Sequence, residues 1–383
     1  MNKKLMALAV AGALAAPAVA FAQASSVQLY GRANLGLDSW SATGATAGSA
    51  SDLRRRNRVY DSGSRLGVRG TEDLGGGLKA LFVIESGVNI DAGTSTTQSG
   101  AANTSAGTLA SRDSYLGLEG GWGRVSFGRQ SVFWVNGANG QTGANYINNE
   151  IGWYNGASMG RIAIGIARMS NVLAYNSPTW SGFNFTVSYE PNSEPATAGA
   201  NTDAKVWGVT ARYYTSFIGV QYDHAENQAV SGGANRQKVS ADKLSVGWPY
   251  APGSRISGIV NRTKVDDANA VTGFATLHDD LSQSYWGLNW EHTFGNMQVF
   301  GMYSKLKEAS GCTGTGCAGT NSTGVTVGLR YNFSKRTAVY TSYIKHSNGS
   351  NQTVDVTGGG YSAGTVAAGA DPKIFAVGVW HSF

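Results

Sequence analysis

Past its first two dozen residues the 383-residue chain has no apolar run near the roughly 18 residues a membrane helix needs. Any membrane crossing must therefore be made by strands, since only helices and closed barrels satisfy their own backbone polar groups in lipid. Blocks of Lys and Arg interleaved with aromatics are missing too, which sets nucleic acid aside as a partner. No G-x-S-x-G elbow is present, and His224, His278, His292, His346 and His381 fall in separate segments, so spacing brings no nucleophile and base together. That argues against an enzyme, a barrel hydrolase included. His292 and His381 lie on the apolar parity of their segments and read as interfacial residues. Cysteine is nearly absent. Cys312 and Cys317 stand in a polar, glycine-flanked stretch without further ligands nearby, which favours a small loop-stapling disulfide over a metal site. No metal and no cofactor are expected.

What is present begins with MNKKLMALAVAGALAAPAVAFAQASS, in which Lys3 and Lys4 precede an apolar run and two A-x-A sites. This reads as a signal peptide over 1–24, cleaved after Ala22 or Ala24, with an uncleaved anchor as the alternative. Two of the 30 basic residues fall in it, so the formal net charge drops from +6 to a mild +4. The 53 glycines and 10% aromatics disfavour long helices and suit strands. Alternation is explicit in Val27, Leu29, Gly31, Ala33, Leu35 and Leu37, and returns at Phe183–Tyr189, Trp286–Trp290 and Val325–Phe333. Tyr189, Trp248, Trp286, Trp290, Tyr331 and Phe333 near segment ends suit two interfacial girdles rather than the polar outer face of a soluble sandwich.

Short turns alternate with long polar loops along the whole chain. Turns lie at Gly75–Gly77, Gly120–Gly123, Pro178–Gly182, Thr215–Ser216, Ala251–Ser254, Gly295–Asn296 and Ser334–Arg336. Loops lie near Ser41–Gly63, Asp91–Ser111, Gln130–Asn171, Pro191–Ala204, Glu226–Gln237, Asp266–Ser282, Glu308–Thr323 and Ser347–Pro372. These connections join sixteen strands, beginning near Val27, Ser64, Leu78, Arg112, Arg124, Arg168, Phe183, Lys205, Phe217, Lys238, Arg255, Gln283, Met297, Gly324, Thr337 and Lys373. The fold class is therefore all-β, a sixteen-stranded antiparallel transmembrane β-barrel over 25–383, wide enough for an aqueous channel. The longest loop, 130–171, has seven glycines, a single acid and neither strand nor helix periodicity. It is the third long loop, and is expected to fold into the lumen and constrict it.

The chain resembles the Gram-negative trimeric porins of the sixteen-stranded betaproteobacterial type. The resemblance rests on SSVQLYG (Ser25–Gly31), SRLGVRGTEDLGGGLKALFVIESG (Ser64–Gly87), SYLGLEGGWGRVSFGRQ (Ser114–Gln130), YNSPTWSGF (Tyr175–Phe183) and the terminal GVWHSF. It implies a homotrimer in the Gram-negative outer membrane and passive diffusion of small hydrophilic solutes and inorganic anions. It also implies contact with outer-membrane lipid and lipopolysaccharide, and a terminal Phe383 similar to the signal read by the outer-membrane insertion machinery. The wording QSVFWVNGANG after Gly128 and Arg129 departs from the commoner family pattern.

Parity converts the charges into a map. Leu66 and Val68 on one face send Arg65 and Arg69 to the other, and an arginine on the lipid face near mid-membrane would cost about 2–4 kcal/mol. The same argument turns Arg32, Lys79, Glu85 and Arg124 inward, and Arg168 inward if Leu173 and Tyr175 face lipid. Arg112, Asp113 and Arg129 sit at strand ends where parity does not decide, and Glu150 and Arg161 belong to the long loop. A constriction with arginines on its wall and a carboxylate on its loop creates a transverse field that favours anions. The competing roles for each arginine are a structural ion pair with Asp73, Glu85 or Asp113, or a rim contact to lipopolysaccharide phosphate. Arg54, Arg55, Arg56 and Arg58 fall in the first loop or the top of the second strand, as a funnel, a lipid contact or a solvated cluster. A substrate-specific channel for sugars or organic acids is the alternative function, and Phe133, Trp134, Tyr146, Trp153 and Tyr154 would be its aromatic surface, or simply pack the loop.

Overall fold

The structure, a computed structural model, describes residues 26–91, 109–133, 168–191, 205–230, 236–266, 280–312, 315–356 and 366–383. Among them run β1 (Ser26–Thr43), β2 (Leu53–Asp61), β3 (Arg65–Gly75), β4 (Leu78–Gly87), β5 (Ser114–Gly120), β6 (Gly123–Ser131), β7 (Arg168–Asn176), β8 (Phe183–Glu190) and β9 (Lys205–Tyr214). There follow β10 (Gly219–Val230), β11 (Arg236–Ala251), β12 (Ser254–Asp266), β13 (Asp280–Phe294), β14 (Met297–Leu306), β15 (Ser322–Asn332), β16 (Thr337–Asn348) and β17 (Asp371–Ser382). From β3 onward each strand pairs antiparallel with the next, and β17 returns to β1 from Arg32 opposite Ser382 to Thr43 opposite Asp371. The sheet is closed, so no edge is left unpaired.

Strands β2 and β3 both pair with β1, the first along Leu35–Ala42 and the second along Ser26–Arg32. They are two halves of one crossing interrupted at residues 62–64, so the barrel has sixteen crossings, as the rhythm of turns requires. One boundary differs markedly. The second crossing begins at Leu53, not near Ser64, which places Arg54, Arg55, Arg56 and Arg58 in a strand. Polar side chains hid it, because Arg58 faces inward and bonds Asp38 through both Nε and Nη2 at 2.9 Å. The long loop is likewise shorter than 130–171, since Gln130 and Ser131 end β6 and Arg168–Asn171 begin β7.

Alternation sorts the two faces. Leu37, Leu116 and Val260 are 59%, 63% and 52% exposed on the outer face, forming the apolar band that lipid covers. Near the tight-turn end Tyr250 bonds His292 Nδ1 at 2.8 Å and accepts from Trp290 Nε1 at 3.0 Å, with the Phe294 ring 4.2 Å from His292. These rings form an aromatic girdle with polar tips. At the closing seam, Tyr60 and Tyr340 lie inside over Gly36 and Gly378, where a Cβ would collide with each ring. Their hydroxyls meet at 2.8 Å, and Tyr340 donates to Asn34 at 2.7 Å. Phe383 exchanges backbone hydrogen bonds with Gly31 at 3.1 and 3.2 Å on the same seam.

At the long-loop end, three connections are stitched together. Thr46 donates to the Ala368 carbonyl, Gly349 to Asn321 and Asn351 to Gly319, all at 2.8–2.9 Å. Cys312 and Cys317 are joined as a disulfide with Cα atoms 5.5 Å apart. From the last connection Val354 drops among Ile259, Tyr285, Met302 and Leu306. Val356 drops among Trp40, Tyr60, Phe300, Tyr340 and Ile344. These partners face inward, so this segment docks inside the barrel.

Candidate functional site

The lumen collects the charges. On β1 and β3, Arg32 and Arg65 stand opposite one another in register. Arg32 donates to the Gly63 carbonyl at 3.0 Å, held by the break between β2 and β3. Arg65 lies 3.8 Å from Glu85, and Arg112 makes a closer charged contact with the same carboxylate. Tyr30 adds a hydrogen bond to Glu85 at 3.1 Å. Glu85 is thus a hub for two guanidiniums and a phenol, a role that satisfies a carboxylate facing away from lipid. Arg69 bonds the neutral amide of Gln28 at 2.8 and 2.9 Å and lies 5.0 Å over the Tyr30 ring. Arg124 reaches Asn176 at 3.2 Å and stacks 5.6 Å over Tyr115.

Arg112 and Asp113 precede β5 rather than opening it. Burial lowers the Arg112 guanidinium to about 10, opposed by Glu85, so it stays protonated at neutral pH. Burial pushes Asp113 up, but Arg168, bonded at 2.8 Å, and the Ser131 hydroxyl hold it below its ordinary value. Arg168 does not follow the parity that would send it inward. Leu173 is exposed as expected, but the β6–β7 register shifts between Gly128 and Gln130, with Asn171 at φ 58°, which inverts the alternation before Arg168. Its buried guanidinium is spent on a pair with the half-buried Asp113. Arg129 stands in register with Ser114 and ties Ser111 to Ser170 at 3.0 and 3.1 Å. Glu150 and Arg161, with Trp134, Tyr146, Trp153 and Tyr154, lie outside the described residues.

The opposite arc holds residues that the sequence reading did not single out. Leu244, Val246 and Trp248 are exposed, so Lys243 and Ser245 face inward, and the same alternation sends Arg212 inward between Ala211 and Tyr213. Arg212 bonds Thr186 at 2.9 Å and Asn184 at 3.3 Å. Lys243 lies 3.2 Å from Asp223, and Arg255 2.9 Å from Glu291. Period-two alternation around Leu244 was the available signal. Among the described residues no group of three or more His, Cys, Asp and Glu side chains could hold a metal.

A closed sheet of sixteen tilted crossings, apolar outside and charged inside, defines a membrane channel of the diffusion-barrel class. The comparisons with known proteins agree. A family model described as Gram-negative porin matches residues 7–352, and the chain belongs to that family. It is 28% identical to outer membrane porin protein 32 of Delftia acidovorans over the full length of both chains. It is 26% identical to the major outer membrane protein P.IB of Neisseria lactamica, over 92% of this chain and 96% of that one. Among solved structures, the anion-selective porin from Comamonas acidovorans superimposes with a TM-score of 0.72 at 25% identity, over 94% of this chain and all of that one. The protein is an outer-membrane porin of a Gram-negative bacterium, a channel and not an enzyme.

Proposed function

We propose that this porin is a homotrimeric diffusion channel for small hydrophilic solutes that prefers anions. The observation that carries the preference is the bonding of its inward arginines. Acidic groups such as Asp38, Glu85, Asp223 and Glu291 each lie against a cation, whereas the exposed Arg69 hydrogen-bonds to a neutral amide and leaves positive charge in the lumen. Because guanidinium stays protonated at any working pH, the preference should persist across mild pH changes. The solved neighbour described as anion-selective supports the same sign, and trimeric porin structures of the same fold support the oligomer.

Arg32, Arg65, Arg69 and Arg124 are assigned to the wall that solutes pass, and Glu85 to setting the positions of Arg65 and Arg112. Glu150 and Arg161 are assigned to the third loop as its own charges. Outside, the exposed Arg262, Lys264, Lys305 and Lys345 stand one step beyond Val260, Tyr303 and Tyr343 on the outer face, and suit the phosphates of lipopolysaccharide. Residues 1–24 serve as the cleaved export signal, and Phe383 as the contact for the insertion machinery. Purified trimers in a planar bilayer under a salt gradient should give a reversal potential on the anion side; a cation-side potential refutes the assignment.

A further inference from the structure

Lys243 is an inward cation that no solute can reach. Its side chain and that of Asp223 are both 0% exposed, with Nζ 3.2 Å from the carboxylate. Asp223 accepts in addition from Gln221 at 2.8 Å and from Thr210 at 2.6 Å, so the pair is fully bonded on the wall side. Among the described residues, the Phe133 ring lies over the ammonium on its lumen side. Phe133 lies two residues beyond β6, yet its ring centroid is 4.8 Å from Lys243 Nζ on β11, five crossings further round the barrel. Such a span requires the chain leaving β6 to run inward.

The ring is held there by packing. Val132 and Phe133 are buried with Val172, Ala174, Val206, Ala225, Val239, Ala241, Val265 and Leu281, and Met169 at the start of β7 packs on the same cluster. Gly208 gives Val132 its space, since a Cβ at that position would lie 3.0 Å from Val132 Cγ1. A charge in so apolar a setting is costly unless paired and covered, and the ring face offers a cation a favourable partner once water is removed.

We infer that Phe133 is a cap that withholds Lys243 from the ion path, so that the lumen contains a concealed anion-binding cation in addition to its exposed arginines. This deepens the anion-channel reading and rests on it. The two readings fail differently: a wild-type channel with cation preference sinks the first, while the capped lysine is tested by variants against a wild type of known sign.

The experiment measures conductance and reversal potential of heat-stable trimers in planar bilayers. Phe133→Ala should raise the conductance and move the reversal potential further toward the anion limit. Replacing the pair together, Asp223→Asn with Lys243→Met, removes one charge of each sign, leaves Arg212 on its bonds to Thr186 and Asn184, and should leave the reversal potential at the wild-type value. The triple variant should keep the higher conductance of Phe133→Ala and lose its added anion preference. The inference is overturned if Phe133→Ala changes neither quantity, if the charge-pair variant alone lowers anion preference, or if the added preference persists in the triple variant. Should Phe133→Ala fail to assemble, Lys243→Cys with Asp223→Asn in the capped barrel gives an independent reading. Its thiol should resist a small charged methanethiosulfonate, and rapid current block would overturn the cap.

Discussion

Docking of the segment at 352–356 should depend on pH through one residue. Asp355 sits between Val354 and Val356, which bury themselves against inward side chains of β12–β14 and of the β16–β17–β1–β2 seam. Burial pushes its carboxyl up from 3.8 to about 6, against the opposing pull of the Val356 amide and of Arg58, itself paired with Asp38. A raised acid binds its proton more tightly when docked. Docking is therefore fully supported below about pH 4 and loses stability as pH rises through about 6. With those two values the charged carboxyl costs docking about 3 kcal/mol at pH 7 and about half that at pH 5. That difference makes the docked state about tenfold more favoured at the lower pH. Amide hydrogen exchange at residues 352–356, corrected for the intrinsic pH dependence of exchange, reads this directly as a protection factor about tenfold higher at pH 5 than at pH 7. Asp355→Asn keeps the shape and removes the titration, so its protection should be high and equal at both pH values. Equal protection in the parent protein, or an undiminished pH step in the variant, would refute the reasoning.

Three further outcomes follow from the lumen and the seam. Alanine at Arg65 and Arg69 should lower the anion preference measured by reversal potential while the trimer remains heat-stable; an unchanged potential places the filter elsewhere. Glu85→Gln leaves Arg112 buried without its carboxylate, which should cost about 3–5 kcal/mol and lower the trimer's melting temperature, and any surviving channels should show increased anion preference. Tyr340→Phe removes the hydroxyl that joins Asn34 and Tyr60 at the β17–β1 closure and should cost about 1–3 kcal/mol, read as a lower denaturant midpoint with unchanged selectivity.

The barrel was legible because each crossing repeats a short-range pattern. Strand starts at Leu78, Phe183, Lys205, Met297 and Thr337 fall where alternation and turns put them, and the turn at Gly76–Gly77 uses the positive φ values of 61° and 80° that glycine tolerates. What failed was non-local or irregular. Leu53–Asp61 looked like loop because its inward residues are charged, and charge in a strand is readable only once Asp38 is known to lie opposite Arg58. Arg168 was misplaced by one extra residue in β7, which reverses every parity beyond it. Lys243 and Arg212 were readable by the same alternation that found Arg65, but their partners Asp223 and Thr186 come from neighbouring strands. The docking of Val354 and Val356 was not legible, since two valines alternating around Asp355 are too short a pattern to stand out from the polar loop that holds them.

These covers also explain where the sign of the channel is set. The cluster around Val132 and Phe133 spreads an apolar surface over the inner faces of β7 and β9–β13, and the segment around Val354 and Val356 does so over β12–β14, β16–β17 and β1–β2. The inner face of β3 and β4 lies outside these clusters, with Arg69 and Lys79 exposed and Arg65 33% exposed. A charge acts on a passing ion in proportion to how little protein or water separates them, and a covered ion pair such as Lys243 with Asp223 contributes almost no net field. The same number of lumen cations would therefore give different selectivities under different loop packing. Arginine on β3 should dominate this channel because β3 is uncovered, and moving an equivalent arginine to β11 beneath Phe133 should not restore the preference lost in the Arg65 and Arg69 alanine variant.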